Sequence, residues 1–178
     1  MVMKIIKVLL VSLLLLGVTN AQAANAYLGL GIGESFVDQG IFGEMDTAYK
    51  LFGGFQFHPN FALEAAYMDL GQPVEDFFGF RQEYDVWATA LWVKGVLPVT
   101  KTVELFGKLG MAHWEYDKVS QIGSLPPTTS SESSTDFAWG IGVAFAVNEK
   151  LMIPVEYEHI SGDIDKAAMF SVSVLYQF

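Results

Sequence analysis

The sequence predicts an all-β chain, an eight-stranded antiparallel up-and-down transmembrane β-barrel. Three observations predict it. Hydrophobic residues make up 52% of the chain and mean hydropathy is +0.34, yet past the N-terminal leader no stretch offers the ~20 consecutive apolar residues of a helical span. The apolar residues instead fall in short segments that alternate with small or polar ones, the period of a strand with two unlike faces. The chain also closes on such a segment: Phe170, Val172, Val174, Tyr176 and Phe178 share one side, and the last residue is aromatic. Backbone groups in lipid must pair internally, so only helices and closed barrels span a bilayer. Without helices, the barrel remains.

Residues 1–23 are expected to be a cleaved secretory signal peptide. Lys4 and Lys7 form its basic start, Val8 to Val18 its apolar core, and Ala21-Gln22-Ala23 its small-residue cleavage site, with cleavage before Ala24. The apolar core is short for a ~30 Å hydrocarbon layer and no stop-transfer charges follow it. No Cys lies near the site, which excludes a lipoprotein. The 178 residues less these 23 leave 155, residues 24–178, as one barrel domain without a linker. With no cysteine in the chain, disulfides cannot hold it, and the core, the sheet or the membrane must.

Eight strands are expected. The first covers about 26–36, with Leu28, Leu30 and Ile32 opposite Gly29, Gly31 and Gly33. The second covers about 47–57, with Tyr49, Leu51, Phe55 and Phe57 opposite Lys50, Phe52, Gly54 and Gln56. His58-Pro59-Asn60 makes a tight turn. The third covers about 61–70, with Phe61, Leu63, Ala65 and Tyr67 opposite Ala62, Glu64, Ala66 and Met68. The fourth covers about 85–97, with Trp87, Thr89, Leu91 and Val93 opposite Ala88, Ala90, Trp92 and Lys94. The fifth covers about 102–116, with Val103, Leu105, Leu109 and Met111 opposite Glu104, Phe106, Lys108 and Gly110. The sixth covers about 136–147, with Phe137, Trp139, Ile141, Val143 and Phe145 opposite Ala138, Gly140, Gly142 and Ala144. The seventh covers about 151–160, with Ile153, Val155 and Tyr157 opposite Pro154, Glu156 and Glu158. The eighth covers about 167–178 and is expected to pair with the segment around Leu28–Ile32. Each meets the ~9–11 residues of a tilted membrane strand.

Connections after strands two, four and six are short. Those at 37–46, 71–84, 117–135 and 161–166 are long and polar. That rhythm fits a bacterial outer-membrane barrel, with short periplasmic turns, long external loops and both termini periplasmic. The run Gly123 to Ser134, rich in Ser, Thr and Pro, is expected to be a mobile loop because its composition cannot build a core.

One face of the strands is read as holding nearly all the bulky aliphatic and aromatic groups and suits lipid. The other holds Gly, Ala, Ser and the strand charges, and suits the narrow lumen of an eight-stranded barrel. A Lys facing lipid at the bilayer midplane would cost ~2–4 kcal/mol, and a buried charge must be paired. A lumen network is therefore expected, joining Lys50, Lys94 and Lys108 with Glu64, Glu104 and Glu156. Tyr27, Tyr67, Trp87, Trp139, Tyr157, Tyr176 and Phe178 are expected in the aromatic girdles at the membrane boundary.

These residues resemble the OmpA-like eight-stranded outer-membrane β-barrel superfamily. The likeness rests on Tyr49-Lys50-Leu51-Phe52-Gly53-Gly54-Phe55-Gln56-Phe57 and the following Asn60-Phe61-Ala62-Leu63-Glu64-Ala65-Ala66-Tyr67. It rests also on Leu105-Phe106-Gly107-Lys108-Leu109-Gly110 and the strand ending in Phe178, and it covers essentially the whole mature chain. The resemblance implies that the terminal strand, with Phe170, Val172, Val174, Tyr176 and Phe178, is the signal read by the barrel-assembly machinery. The peptidoglycan-binding domain carried by many OmpA proteins is absent from this sequence, so the resemblance implies no cell-wall tethering.

Setting aside Lys4 and Lys7, eight Lys and Arg stand against twenty Asp and Glu. Nucleic acid is excluded as a partner on that balance. The loop acids Asp38, Glu44, Asp46, Glu75, Asp76, Glu83, Asp85, Glu115, Asp117, Glu132, Asp163 and Asp165 could bridge divalent cations to lipopolysaccharide. The plainer reading is a hydrated surface that resists aggregation. His159-Ile160-Ser161 resembles the His-x-Ser pair of lipid A deacylases, but no Glu follows Ser161, so Asp163 or Asp165 would have to orient the base. His58, His113 and His159 are scattered and suggest no zinc site. Gly29, Gly31, Gly33, Gly140 and Gly142 lack the setting of a phosphate loop. No cofactor is expected. The leading functional expectation is a monomeric structural barrel at the cell surface, in contact with outer-membrane lipid, lipopolysaccharide, or a host or environmental ligand. A small-solute channel gated by the lumen charges is the alternative, and a lipid A hydrolase ranks third.

Overall fold

The computed structural model describes residues 26–38, 43–71, 74–77, 80–122, 128–162 and 166–178. The leader expected at 1–23 lies outside them. Nine strands are described: β1 (Ala26–Asp38), β2 (Gly43–His58), β3 (Phe61–Asp69), β4 (Val74–Phe77), β5 (Phe80–Pro98), β6 (Val103–Ile122), β7 (Thr128–Ala146), β8 (Leu151–Ser161) and β9 (Lys166–Gln177). Every pairing is antiparallel. The sheet runs β3-β2-β1-β9-β8-β7-β6-β5, and β3 pairs with β5 to close it. Eight strands thus form the barrel, and the short β4 adds an unforeseen hairpin on the outer end of β5. Closure brings the two ends of the chain together as the alternation predicts, with Leu30 opposite Val174 and Ile32 opposite Val172.

The alternation in sequence becomes an alternation in exposure. Leu30, Ile32, Leu91, Leu109, Ile141 and Val174 are more than half exposed on the outside. Ala48, Ala88, Ala112 and Ala138 are fully buried in the lumen. In a chain that spans a bilayer, the exposed apolar face is the one that lipid covers. The lumen is not filled by small residues alone. Phe52, Met68, Trp92 and Phe106 also point into it, and the rings of Phe52 and Phe106 fill the space left at Gly29 and Gly142. A Cβ at Gly29 or Gly142 would collide with the ring of Phe52 or Phe106 respectively.

The short turns fall where expected. They are pinned by backbone bonds such as Val99 N–H to Val103 O at 2.9 Å and Val147 N–H to Leu151 O at 2.8 Å. At the other end the structure departs from expectation. β6 has 20 residues and β7 has 19, about twice what a membrane strand needs. Their ladder continues to Ser120 opposite Thr128, so Thr128–Ser134 of the expected loop is strand, while Gly123–Pro127 lies outside the described residues. Composition misled here because an antiparallel ladder needs no core: its hydrogen bonds are made by the backbone, whatever the side chains. Pairing of β7 with β8 begins only at Phe137 opposite Ser161. Among the described residues, β7 from 128 to 136 therefore has a partner on its β6 side alone.

Candidate functional site

Alternation aims the strand charges inward, and the barrel's small radius brings them together. Lys50 comes from β2, Glu64 from β3, Lys94 from β5, Lys108 from β6, and Glu156 and Glu158 from β8. Each is 6% exposed or less. Lys108 is the hub, its Nζ lying 2.5 Å from Glu64 Oε1, 2.5 Å from Glu156 Oε2 and 3.2 Å from Glu158 Oε1. Lys50 pairs with Glu156 and, at 2.8 Å, with Glu158. Lys94 lies 3.5 Å from Glu64 Oε2 and 4.2 Å from the centre of the Phe106 ring. The Tyr27 hydroxyl donates to Glu64 Oε2 at 2.8 Å.

Three ammonium groups against three carboxylates leave the layer formally neutral, the condition under which buried charges are tolerated. Lys94 and Lys108 face each other across the β5–β6 ladder. Like charges placed so would repel, and Glu64 contacts both. Ligand atoms of Glu64, Glu156 and Glu158 lie within 4.8 Å of one another and form, among the described residues, a group able to hold a metal ion. The Lys108 ammonium already touches all three and supplies that positive charge itself. Apolar inward residues flank the charges: Ala48 and Phe52 about Lys50, Ala62 and Ala66 about Glu64, Pro154 and Ile160 about Glu156 and Glu158. Farther out, Met68, Leu70, Val86, Ala88, Ala112, Ala138 and Met169 pack into one cluster.

Five of the six residues expected in the network meet in it. Glu104 does not. Among the described residues it has no ion pair, because it sits four residues before Lys108, at the rung opposite Pro98 beside the short turn. Four residues of strand are ~13 Å, too far for the layer. Its place is taken by Glu158, which sequence reasoning missed although its parity matches Glu156. Tyr27 is also corrected. It was expected in a girdle, but at 9% exposure it lies in the lumen, on the same parity as Gly29. The other girdle residues do lie on the outer face, where Tyr67 stacks on Trp87 with ring centres 6.1 Å apart and Trp139 lies 5.7 Å from Tyr157.

His159 faces outward, its ring 5.5 Å from that of Trp139. Across its two neighbouring strands stand Trp139 and Ala168, so neither strand offers an acid opposite it. Asp163 and Asp165, the acids that would have to serve, lie outside the described residues. On the terminal strand Phe170, Val172, Val174, Tyr176 and Phe178 all show 39–54% exposure on the outer face. Phe178 N–H bonds to Ala26 O at 3.0 Å, which fixes the chain's end into the barrel seam.

Residues 21–176 match the OmpA-like transmembrane domain. No curated protein sequence matches the chain. Among solved structures it is similar to Ail, the attachment invasion locus protein of Yersinia pestis, crystallised with the heparin analogue sucrose octasulfate. Identity there is 18%, coverage 86% of this chain and 98% of that one, and the TM-score 0.63. It is similar also to neisserial surface protein A, with 11% identity, 86% and 97% coverage and a TM-score of 0.66. The N-terminal barrel of Pseudomonas aeruginosa OprF gives 14% identity, 88% and 100% coverage and a TM-score of 0.62. At these identities the likeness is one of fold.

Proposed function

Since this chain belongs to the OmpA-like transmembrane domain family and is a bacterial outer-membrane β-barrel, we propose that it is a closed structural barrel whose work is done at its outer end. The side-chain-filled lumen is the observation that supports this reading. Paired charges fill the centre and apolar side chains close over them along the strands, so a solute would have to break ion pairs in a medium where an unpaired charge costs several kcal/mol. The outer end, by contrast, is built to stand clear of the membrane on the long β5, β6 and β7. Asp85, Glu115, Asp117 and Glu132 lie on these outer strand ends.

A structure of Ail with a heparin analogue supports the idea that a barrel of this fold can present a ligand surface. The acidic balance of this chain disfavours a polyanion. It favours a cationic partner, or lipopolysaccharide bridged by divalent cations. The short turns and both termini would then face the periplasm, with the terminal strand serving as the assembly signal. The barrel is expected to act as a monomer.

Replacing 117–133 by a tight turn tests the surface role: the barrel is expected to keep its unfolding midpoint while binding to cells or lipopolysaccharide falls. Unchanged binding would remove that role. The channel reading keeps some support from the charges that cross the lumen. Planar-bilayer recording decides it: no openings are expected from the closed barrel, and steady openings altered by Lys108→Met would favour the channel instead.

A further inference from the structure

Several of the barrel's glycines are required by close approach. A Cβ at Gly33 would strike the carbonyl oxygen of Phe170, and one at Gly110 that of Leu91. Gly95 and Gly107 differ. They face each other across β5 and β6, on the outward parity of the lipid face. A Cβ there would meet nothing nearer than 3.9 Å and 3.8 Å respectively. Packing within the protein asks for glycine at neither place, and glycine weakens a strand. What the pair does is lower the surface between Phe61, Val93, Leu97, Leu105, Leu109 and Ile141. Two adjoining open hollows of about 460 and 480 Å³ lie here and share Phe61, Gly95 and Gly107.

The position and the chemistry of this groove name its occupant. Gly95 is three residues from the end of β5 at Pro98, ~10 Å along the strand, which places it in the half of a ~30 Å hydrocarbon layer next to the short turns. The walls are apolar but for Asn60, whose Nδ2 donates to Val96 O at 2.9 Å. At the groove's lower end the exposed β5–β6 turn holds Lys101 between the hydroxyls of Thr100 and Thr102, while the nearby Glu104 has the opposite parity to the lining Leu105 and Gly107. An apolar trough ending at an ammonium and hydroxyls complements an acyl chain that leads to an anionic phosphate. We propose that the Gly95–Gly107 groove is a binding site for a phospholipid of the periplasmic leaflet, one acyl chain crossing the two glycines and its phosphate resting at Lys101. The leaflet assignment rests on the short turns facing the periplasm.

Native mass spectrometry tests it. The full barrel is reconstituted in vesicles of phosphatidylethanolamine, phosphatidylglycerol and lipopolysaccharide, extracted in mild detergent, and its retained lipids are counted. One phospholipid per barrel is expected. The double variant Gly95→Val/Gly107→Val should lower that retention about tenfold, with an unfolding midpoint at or above wild type, since Val suits an exposed strand. Lys101→Gln, which leaves the groove intact, should lower retention of phosphatidylglycerol. Equal retention by the double variant would overturn the proposal. So would lipopolysaccharide retained in place of phospholipid, which would put the groove in the other leaflet. A wild-type dimer that the double variant turns into monomer would also overturn it, by assigning the groove to a second copy of the chain.

Discussion

Lys108 shows how much one residue can carry. It contacts all three buried carboxylates, so Lys108→Met leaves Glu64, Glu156 and Glu158 with two partners. Breaking a buried pair from one side costs ~3–5 kcal/mol, and a loss of that size is expected in denaturant unfolding of the lipid-embedded barrel. Glu104→Gln is the control. It lies outside the layer, half-buried at the rim, and its effect should stay within ~0.5 kcal/mol. If the two variants lose equal stability, Lys108 is not the hub. Tyr27→Phe removes the donor to Glu64, and ~1–3 kcal/mol is expected from the acceptor left short of a partner in the lumen.

At the scale of elements, β9 and the β6–β7 hairpin make contrasting demands. β9 closes the seam with β1 along twelve rungs, from Tyr27 opposite Gln177 to Asp38 opposite Lys166, and Phe178 adds one backbone bond beyond it. Deleting Phe178 is expected to lower the amount of folded barrel in the outer membrane several-fold, while the barrel that does insert keeps wild-type resistance to unfolding. Quantitative blotting of membrane fractions checks this; normal surface levels would remove the assembly role of the terminal residue. Among the described residues the outer half of the β6–β7 hairpin takes no part in the seam, since β8 joins β7 from Phe137. Shortening it should therefore spare insertion, the opposite outcome to the Phe178 deletion.

For the molecule as a whole, closure is the organising fact. A closed antiparallel barrel satisfies its backbone internally and, within the bilayer, leaves no free edge. The folded protein should therefore migrate faster than the boiled protein on a detergent gel. A boiling-independent position would contradict a closed barrel. The same closure faces the charged residues of five strands toward one another across a lumen wide enough only for side chains, which is why a neutral cluster of three lysines and three glutamates can form with almost no exposure.

Fold and site were not equally legible in the sequence. Strand number, strand faces and the seam between the chain's ends follow from a period of two, and that period is a local property of consecutive residues such as Leu28 to Gly33 or Phe170 to Phe178. So does the inward aim of Lys50, Glu64, Lys94, Lys108 and Glu156. Which of the inward charges meet was decided by tertiary structure alone. Parity tells the face and not the height, and height depends on the stagger between strands that closure imposes. Glu104 and Glu158 share the correct parity, but only Glu158 stands at the height of Lys108. The length of β6 and β7 was likewise hidden, because a backbone ladder can run on through Ser and Thr without any apolar signal. The sequence by itself determined that this protein is a barrel with a charged interior and a lipid-facing exterior. Register and closure decided which charges neutralise one another, and how far the strands rise beyond the membrane.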